Sequence, residues 1–308
     1  MFAEAVIDKS LGITAVDLAE LIALRRHALR MRASSARMRV PMAGAHTSHL
    51  RGRGMDYAES RVYQPGDDAR AIDWRRTARS GRAHTKLFRE ERERSLLLLV
   101  DTHASMRFGT RARFKSVQAA RTAALAAWTA ARAGDRIGAL AFGALRDAIM
   151  PHGGTRGVLA VLGAMARWDA RAGEQSEPLS EALSRVRRLA LPGSRVLLLS
   201  DGACTDEGTR GALMRLARRS ETRVLIVADA LELQAPPPGS YAFETTGGRA
   251  QVDLLAAVAR LRFRDALSAG QRALIETCDA AGVRWRRISG GDDPLPALSG
   301  LLDPRVPR

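Results

Sequence analysis

The chain has 308 residues, a formal net charge of +16 and 46% apolar residues. This length fits roughly two domains, or one of about 200–250 residues with an appendage, and the apolar content supports a full core rather than a disordered chain. Two cysteines, Cys204 and Cys278, exclude a disulfide framework and a cysteine-rich zinc module. The N-terminal sequence lacks a signal-peptide pattern, and no apolar run reaches the ~18–20 residues of a membrane-spanning helix, so we expect a soluble, cytoplasmic protein.

The positive charge is concentrated in one stretch of the chain. Residues 1–95 carry a net charge of +7 and the much longer remainder carries +9. Residues 70–89 contain seven basic residues and a single acidic one, Asp73. Only three of the 49 basic residues are lysines, a bias that a GC-rich genome also produces. The 70–89 stretch, rather than the charge of the whole chain, is therefore the candidate electrostatic surface.

An amphipathic helix is predicted near the start of the chain, from Val16 to about Met31. Its apolar residues recur on one face and its arginines lie mostly off that face. Such a stripe is typical of a helix that packs on its own domain, which we prefer to a membrane-binding or partner-binding helix. Residues 41–55, rich in Gly, Ala, Ser and His, are predicted to form a loop, and Pro65-Gly66 fits the centre of a type II turn.

After residue 95, short apolar runs alternate with longer amphipathic segments. Nearly continuous apolar runs are typical of strands that are buried on both faces of a sheet. The predicted strands are Leu96–Val100, Ile137–Phe142, Val196–Leu199, Val224–Ala228 and Val283–Ile288, and the predicted helices span about 112–133, 156–168, 178–191, 206–219 and 253–281. Tyr241–Val252 is predicted to be a hairpin. The alternation predicts an α/β fold with a doubly wound, mainly parallel sheet.

Open parallel sheets bind ligands at the carboxyl ends of their strands, and an aspartate stands at two of these ends. Asp101 follows the first strand, with His103 and Ser105 beside it, and Asp201 closely follows the strand Val196–Leu199. Carboxylates and hydroxyls that converge at a sheet edge suit Mg²⁺ or Mn²⁺. The alternative is that each aspartate caps a helix or starts a turn, and the spacing alone favours this alternative.

Several enzyme classes carry motifs that this sequence lacks. There is no G-x-x-x-x-G-K-[ST] phosphate-binding loop, no G-x-G-x-x-G after the first strand, no G-x-S-x-G nucleophile turn and no H-E-x-x-H zinc motif. His103, Asp101 and Ser105 do not make a credible triad, because three neighbours on one loop rarely reach triad geometry. These absences weaken nucleotide-dependent and hydrolytic functions.

The stretch from Arg51 to Arg94 interleaves aromatic residues with arginines. Such residues can bind nucleic acid through phosphate contacts and stacking. They can equally form internal arginine–carboxylate and arginine–aromatic contacts. Acidic residues in the same stretch favour an internal or protein-facing role. These are Asp67, Asp68, Asp73, Glu90 and Glu91.

At these residues the chain resembles the domain of unknown function 58 family, bacterial proteins found with MoxR-type AAA+ ATPases. The most specific matches are YQPGDDARAIDWRRTAR at 63–79, FREERER at 88–94 and the loop from Asp101 to Gly109. The resemblance covers about residues 45–302 and implies a von Willebrand factor A-like domain. We therefore divide the chain into three parts. These are an N-terminal helix and linker (1–45), a basic, β-rich motif region packed on the main domain (46–95), and the von Willebrand A-like α/β domain (96–302).

The resemblance also implies a metal-ion-dependent adhesion site, built from a D-x-S-x-S loop, a threonine and a second aspartate. Asp101, Ser105, Thr155 and Asp201 match these positions, whereas His103 stands where the family has the middle serine. Imidazole is a poor Mg²⁺ ligand and a good Zn²⁺ ligand. The expected cofactor is a divalent cation, Mg²⁺ or Mn²⁺, whose binding His103 weakens or shifts towards Zn²⁺.

The association with MoxR-type ATPases implies a non-enzymatic adaptor in protein maturation or complex assembly, whose partner is that ATPase or its client. The partner-binding residues expected outside the metal site are Arg70, Asp73, Trp74, Arg75 and Arg79. The alternative function is a nucleic-acid-binding protein that uses residues 70–89. A metal-dependent hydrolase is the least favoured hypothesis, since only His103 or His152 could serve as its general base.

Overall fold

The computed structural model describes residues 12–29, 55–90, 94–171, 176–245 and 248–302. The chain divides into two compact units, one of them Met38–Glu93 and the other Met1–Arg37 together with Arg94–Arg308. The expected boundaries at 45 and 95 and the expected packing of the motif region on the main domain stay predictions. Most of the loop predicted over 41–55 lies outside the described residues.

The described elements alternate between strands and helices along most of the chain. The strands are β1 (Met55–Val62), β2 (His84–Glu90), β3 (Ser95–Asp101), β4 (Arg136–Phe142), β5 (Asp147–Gly153), β6 (Arg195–Ser200), β7 (Glu221–Ala228), β8 (Ser240–Thr245), β9 (Gly248–Asp253) and β10 (Arg284–Ser289). The α-helices are α1 (Leu18–Ala23), α2 (Arg25–Ala28), α3 (Trp74–Ser80), α4 (Lys115–Arg132), α5 (Gly154–Asp169), α6 (Leu179–Leu189), α7 (Thr209–Ala217), α8 (Ala230–Leu233), α9 (Ala257–Leu267), α10 (Ala269–Ala281) and α11 (Pro294–Leu302).

Six strands form one sheet in the order β10-β7-β6-β3-β4-β5. All neighbours are parallel except β5, which runs antiparallel to β4. The leucines of β3 alternate between two cores. Leu96 and Leu98 pack with α4, α5 and α11, whereas Leu97 and Leu99 pack with α6, α7 and α10. Each such buried leucine contributes roughly 1.5–3 kcal/mol. The prediction of a doubly wound, mainly parallel α/β sheet is confirmed.

The helices differ from the sequence prediction where a local cap interrupts them. The helix predicted from Val16 to Met31 ends at its first cap, Leu24, so that two short helices, α1 and α2, take its place. The helix predicted over 253–281 is divided at Ser268, whose ψ of 2° leaves the helical range. The hairpin is confirmed as the antiparallel pair β8 and β9. The edge strand β5 and the last helix α11 were not predicted.

The N-terminal helix pair packs on the main unit, as its apolar stripe predicts. The indole N–H of Trp128 donates to the carbonyl of Leu21 at 3.1 Å. Arg121 forms an ion pair with Glu20, with 2.7 Å between Nε and Oε1. Of the helices within the described ranges, none combines the length and the apolar character that crossing a membrane requires. The expected cytoplasmic location stays a prediction.

The unit Met38–Glu93 contains the antiparallel pair β1 and β2, which confirms the expected β-rich extension. The type II turn is confirmed, because the N–H of Asp67 donates to the carbonyl of Gln64 at 3.0 Å and Gly66 has the positive φ, +105°, that this turn requires. A short 3₁₀ turn, Ala69–Ala71, then leads into α3.

Candidate functional site

Two buried aspartates lie at the carboxyl edge of the six-stranded sheet. Asp101 is the last residue of β3, and Asp201 directly follows the neighbouring strand β6. They are 2% and 3% exposed. A buried carboxylate is costly unless its oxygens are hydrogen-bonded or paired with a cation. The hydrogen-bond and ion-pair partners of these four carboxylate oxygens therefore decide whether the edge can bind a ligand or a metal.

Asp101 is held by uncharged donors and one imidazole. Its Oδ1 accepts the backbone N–H of His103 at 2.9 Å and lies 2.7 Å from the Nδ1 of the same residue. Its Oδ2 accepts the hydroxyl of Ser200 at 2.5 Å and lies 3.5 Å from the Sγ of Cys204. A nitrogen, an oxygen and a sulfur ligand atom thus lie together at this end of the edge.

Asp201 is paired instead with a buried ammonium. The Nζ of Lys115 lies 2.8 Å from Asp201 Oδ2 and 2.6 Å from Glu232 Oε1, and the lysine side chain is 3% exposed. The other oxygen of Asp201 accepts the backbone N–H of Ala203 at 2.9 Å. Burial lowers the pKa of Lys115, but the two carboxylates outweigh it and hold that pKa above its ordinary value. Lys115 is therefore a buried, fixed cation beside Asp201.

The fold places Lys115 by two local features. The residue opens α4, so its side chain leaves the first helical turn. Glu232 lies in α8, where its Oε2 accepts the N–H of Asp229 at 2.7 Å in a capping box. Gln271 of α10 donates to the same Oε2 at 2.6 Å. Helix capping thus fixes the carboxylate that shares Lys115 with Asp201.

His103 is enclosed by the ends of β3 and β4. Its ring meets the ring of Phe142 edge to face at 5.8 Å between centroids. Gly143 has a φ of +98°, and a Cβ there would lie 2.4 Å from His103 Nδ1. Burial lowers the pKa of His103, but the hydrogen bond and charge of Asp101, with the more distant charge of Asp201, outweigh it and raise that pKa above its ordinary value.

The other residues considered for this site differ in where they lie. Ser105 follows Asp101 on the same loop, and its Oγ is buried without a hydrogen-bond partner among the described residues, so its place in the site stays a prediction. Thr155 lies at the opposite edge of the sheet, because the end of β5 before it pairs with the first residue of β4, six residues or roughly 20 Å from Asp101's partner Phe142. The assignment of Thr155 to the site is therefore corrected. His152 pairs at that same distant end, so it is no general base here.

The segment that does return to the carboxyl edge lies just before α6. Glu177 donates its backbone N–H to the carbonyl of Gly143 at 3.2 Å, and Arg185 donates to its Oε2 at 2.9 Å. The side chain offered at this point is thus a carboxylate already paired with arginine, rather than a threonine hydroxyl.

The residues present do not fit a metal-ion-dependent adhesion site for Mg²⁺ or Mn²⁺. The adhesion site that the resemblance implies uses both aspartates together with hydroxyl ligands to hold its hard cation. Asp201 is neutralised by the Nζ of Lys115 at 2.8 Å, and the threonine position is at the far edge. The middle hydroxyl is replaced by the imidazole of His103.

Sequence reasoning missed the residues that decide this chemistry. Lys115, Glu232, Ser200 and Cys204 all contact the aspartates or their partners, yet none was assigned to the site. One signal was available, since Lys115 is one of only three lysines in an arginine-rich chain. Its partner Glu232 lies 117 residues away, a separation that no motif spacing reveals.

The expected partner-binding residues form an exposed surface on α3 and the turn before it. Arg70, Trp74, Arg75 and Arg79 are all exposed, Trp74 to 69%. We call these four residues the α3 face. Among the described residues, none forms an ion pair with these three guanidinium groups.

Asp73 has a different role from its neighbours. Its Oδ1 accepts the N–H of Arg76 at 3.1 Å and its Oδ2 accepts the hydroxyl of Ser60 at 2.9 Å. These hydrogen bonds cap α3 and hold the pKa of Asp73 below its ordinary value. Asp73 therefore caps the helix from within its unit, and its assignment as a partner-binding residue stays a prediction.

Several relatives and solved structures are similar to this chain. The proteins Mb1516 of Mycobacterium bovis and Rv1480 of Mycobacterium tuberculosis, both described as uncharacterized, are each 31% identical over 203 residues. The match covers 65% of this chain and 63% of each relative, so the chain spans less than two thirds of their length.

Among solved structures, the conserved hypothetical protein BatB from Bacteroides thetaiotaomicron has 14% identity and a TM-score of 0.41, over 67% of this chain and 95% of that one. A von Willebrand factor type A protein from Catenulispora acidiphila has 12% identity and a TM-score of 0.41, over 70% and 42%. The family model described as "Protein of unknown function DUF58" matches residues 59–273, well over half of the sequence. The chain belongs to the DUF58 family.

Proposed function

We propose that this chain is a non-enzymatic adaptor that binds another protein through the α3 face. The partner is a MoxR-type AAA+ ATPase or its client, the class that the family resemblance implies. The observation that carries the proposal is the exposure of Trp74, a large aromatic side chain 69% open to solvent among three arginines.

The composition of the α3 face supports a protein partner. Tryptophan and arginine are the residues most enriched among those that dominate the binding energy of protein interfaces. An exposed indole offers a rigid apolar surface at little cost in conformational freedom, and the guanidinium groups around it can form bidentate contacts with carboxylates. Trp74 also lies on a helix that Asp73 caps, so the indole is presented by an ordered element.

The local charges favour a partner with an acidic surface. Asp67 is paired with Arg61 at 2.6 Å, and Asp68 accepts the N–H of Arg70 at 2.9 Å. These acids are therefore used to build the turn and the start of the helix. The guanidinium groups of the α3 face remain available, and such charges steer a complementary partner and raise its association rate.

The carboxyl edge supports a non-enzymatic role. Burial beside Asp101 and Asp201 raises the pKa of the Cys204 thiol, whereas a nucleophilic cysteine needs a lowered one. Asp201 is paired with Lys115 rather than aimed at a reacting group. These contacts favour stability and positioning over a chemical step.

The test is a binding measurement between the full chain and the MoxR-type ATPase of the same organism, by biolayer interferometry. We expect Trp74→Ala to weaken binding by at least about 2 kcal/mol, or roughly 30-fold, as for a central interface residue. Leu191→Ala is the control, because Leu191 is 64% exposed but lies in the other unit. It is expected to leave the affinity unchanged.

A salt series distinguishes the protein partner from nucleic acid. The chain is measured with single- and double-stranded oligonucleotides from low to high salt. We expect weak binding that Trp74→Ala hardly changes. Tight nucleic-acid binding that falls steeply with salt and is lost in an Arg75→Glu/Arg79→Glu variant would replace the adaptor proposal. Absence of any binding to the ATPase, with folded protein, would also overturn it.

A further inference from the structure

We propose that Asp101, His103 and Cys204 form a zinc site at the carboxyl edge of the main sheet. The proposal does not rest on the adaptor function, since the α3 face belongs to the other unit. It shares Asp101 and His103 with the adhesion site that the family resemblance implies, but it adds the thiol of Cys204 and leaves out Asp201 and the hydroxyls.

The positions of the three ligand atoms suit one small cation. One atom from each residue lies within 4.8 Å of the others. The Sγ of Cys204 is 3.5 Å from Asp101 Oδ2, and the Nδ1 of His103 is 2.7 Å from Asp101 Oδ1. Tetrahedral zinc, with bonds of about 2.0–2.3 Å, keeps its ligand atoms roughly 3.3–3.6 Å apart. The sulfur already meets this spacing, and the imidazole needs to exchange its hydrogen bond for a bond to the metal.

The chemistry of the ligands selects zinc over a hard cation. Thiolate and imidazole favour Zn²⁺, whereas Mg²⁺ and Mn²⁺ favour carboxylate, carbonyl and water. A Zn²⁺ ion with one carboxylate, one thiolate and one neutral imidazole forms a group with no net charge. Such a neutral group suits a place where Asp101 is buried and Cys204 is half-buried.

The surroundings of the three residues meet the other needs of a metal site. The hydroxyl of Ser200 donates to Oδ2 of Asp101 and so helps to fix the orientation of that carboxylate. The ring of Phe142 and the missing side chain at Gly143 set the place of the imidazole. A cleft lined by Asp101, His103, Arg107 and Trp168, among others, opens beside two of the three ligand residues, although Cys204 does not line it.

The ion pair between Asp201 and Lys115 keeps the second aspartate of the carboxyl edge out of the proposed zinc site. The Nζ of Lys115 lies 2.8 Å from Asp201 Oδ2. A divalent cation shared by both aspartates would have to displace that ammonium or lie against it. Zinc held by Asp101, His103 and Cys204 leaves the ion pair intact, so we expect three protein ligands and no contribution from Asp201.

The test measures metal binding by the chelator-treated full chain. Zn²⁺ is titrated in competition with a chromophoric chelator, with and without excess Mg²⁺. We expect one tight zinc per chain that Mg²⁺ does not displace. Since loss of an outer partner costs a metal site roughly 10–100-fold, Cys204→Ser, which removes a ligand, is expected to cost more than about 100-fold. Cys278→Ser is the matched control, because Cys278 is the only other cysteine and lies in α10.

Cobalt gives a second readout that identifies the sulfur. Co²⁺ bound to a thiolate shows a charge-transfer absorption in the near ultraviolet, which we expect in the wild type and in Cys278→Ser and not in Cys204→Ser or His103→Ala. Circular dichroism verifies that each variant is folded. The proposal is overturned if zinc binding is absent, if Cys204→Ser binds as tightly as the wild type, or if Mg²⁺ displaces the zinc.

Discussion

The carboxyl edge of the main sheet and the α3 face use charged residues in opposite ways. At the edge, Asp101 and Asp201 are buried and every carboxylate oxygen meets a protein donor. Beside the α3 face, Asp68 and Asp73 accept backbone N–H groups at the starts of helical turns, while the arginines and Trp74 of the face are exposed to solvent. Buried charges whose partners all lie inside the molecule stabilise the fold and fix the positions of the side chains around them. Exposed charges without internal partners are available to a second molecule.

The largest effect on stability is expected at Lys115, the buried cation of the carboxyl edge. Lys115→Met leaves Asp201 and Glu232 buried without their cation, and removing one partner of a buried ion pair costs about 3–5 kcal/mol. The free energy of unfolding is measured in urea by circular dichroism. The exposed Arg218→Met is the control and is expected to change it by less than about 0.5 kcal/mol. A loss below about 1 kcal/mol for Lys115→Met would contradict the role of the buried cation.

A pair of glycines tests how tightly the edge holds His103. Gly143 and Gly134 both have positive φ, +98° and +84°, but only a Cβ at Gly143 would strike the imidazole. Gly134→Ala is expected to cost roughly 1–2 kcal/mol from backbone strain. Gly143→Ala is expected to cost about 1–3 kcal/mol more, because of overpacking.

The same substitution in a His103→Ala background separates the two causes. Removing the imidazole is expected to abolish the extra cost of Gly143→Ala and to leave only the strain that Gly134→Ala also produces. Urea unfolding of the four variants gives the comparison. An unchanged extra cost would mean that the ring does not determine the need for glycine at this position.

The edge should also give stability a dependence on pH. Asp101 raises the pKa of His103 in the folded chain, so the proton binds the folded state more tightly than the unfolded one. The resulting stability is fully present below the ordinary histidine pKa of about 6.5 and is lost as the pH rises through the raised value. With a chelator present, we expect the advantage of the wild type over His103→Gln to shrink from acid to mildly alkaline pH.

The control for this profile is His152→Gln, which changes an exposed histidine at the opposite edge of the sheet. If the advantage of the wild type over His103→Gln grew with pH, the ion pair between the imidazole and Asp101 would be excluded as its source.

The smallest effect on stability is expected on the α3 face. Trp74 is 69% exposed, so Trp74→Ala is expected to change the free energy of unfolding by less than about 0.5 kcal/mol. Trp168 is 3% exposed and donates to Asp147 at 2.8 Å, so Trp168→Ala is expected to cost about 3–5 kcal/mol. A large loss for Trp74→Ala would show that the indole supports the fold instead of a partner.

The sequence predicted those parts of the fold that depend on local burial. The apolar run Leu96–Val100 marks β3 to within one residue at each end, because a strand buried on both faces must be apolar throughout. β5 was not predicted because it is an edge strand that is mostly exposed, and Pro151 ends its short apolar run, Ala148–Met150. The breaks at Leu24 and Ser268 depend on cap conformation, which periodicity does not show.

Of the candidate site, only the residues whose positions follow from the strand order could be predicted from the sequence. Asp101 and Asp201 could be placed at one edge because parallel strands end on the same side. Thr155 could not be placed, since the sequence does not show that β5 runs antiparallel and carries α5 to the far edge. The pairing of Lys115 with Asp201 joins residues 86 positions apart and follows from the packing of α4 against the sheet.

The central claim is that the two strand-end aspartates have separate partners, a lysine for Asp201 and a zinc ion for Asp101. Anomalous diffraction from crystals soaked in Zn²⁺ or in Mn²⁺ tests it directly. We predict a zinc peak between Asp101, His103 and Cys204, no manganese peak at the edge, and Lys115 still bound to Asp201. A manganese peak held by both aspartates, with Lys115 displaced, would contradict the claim.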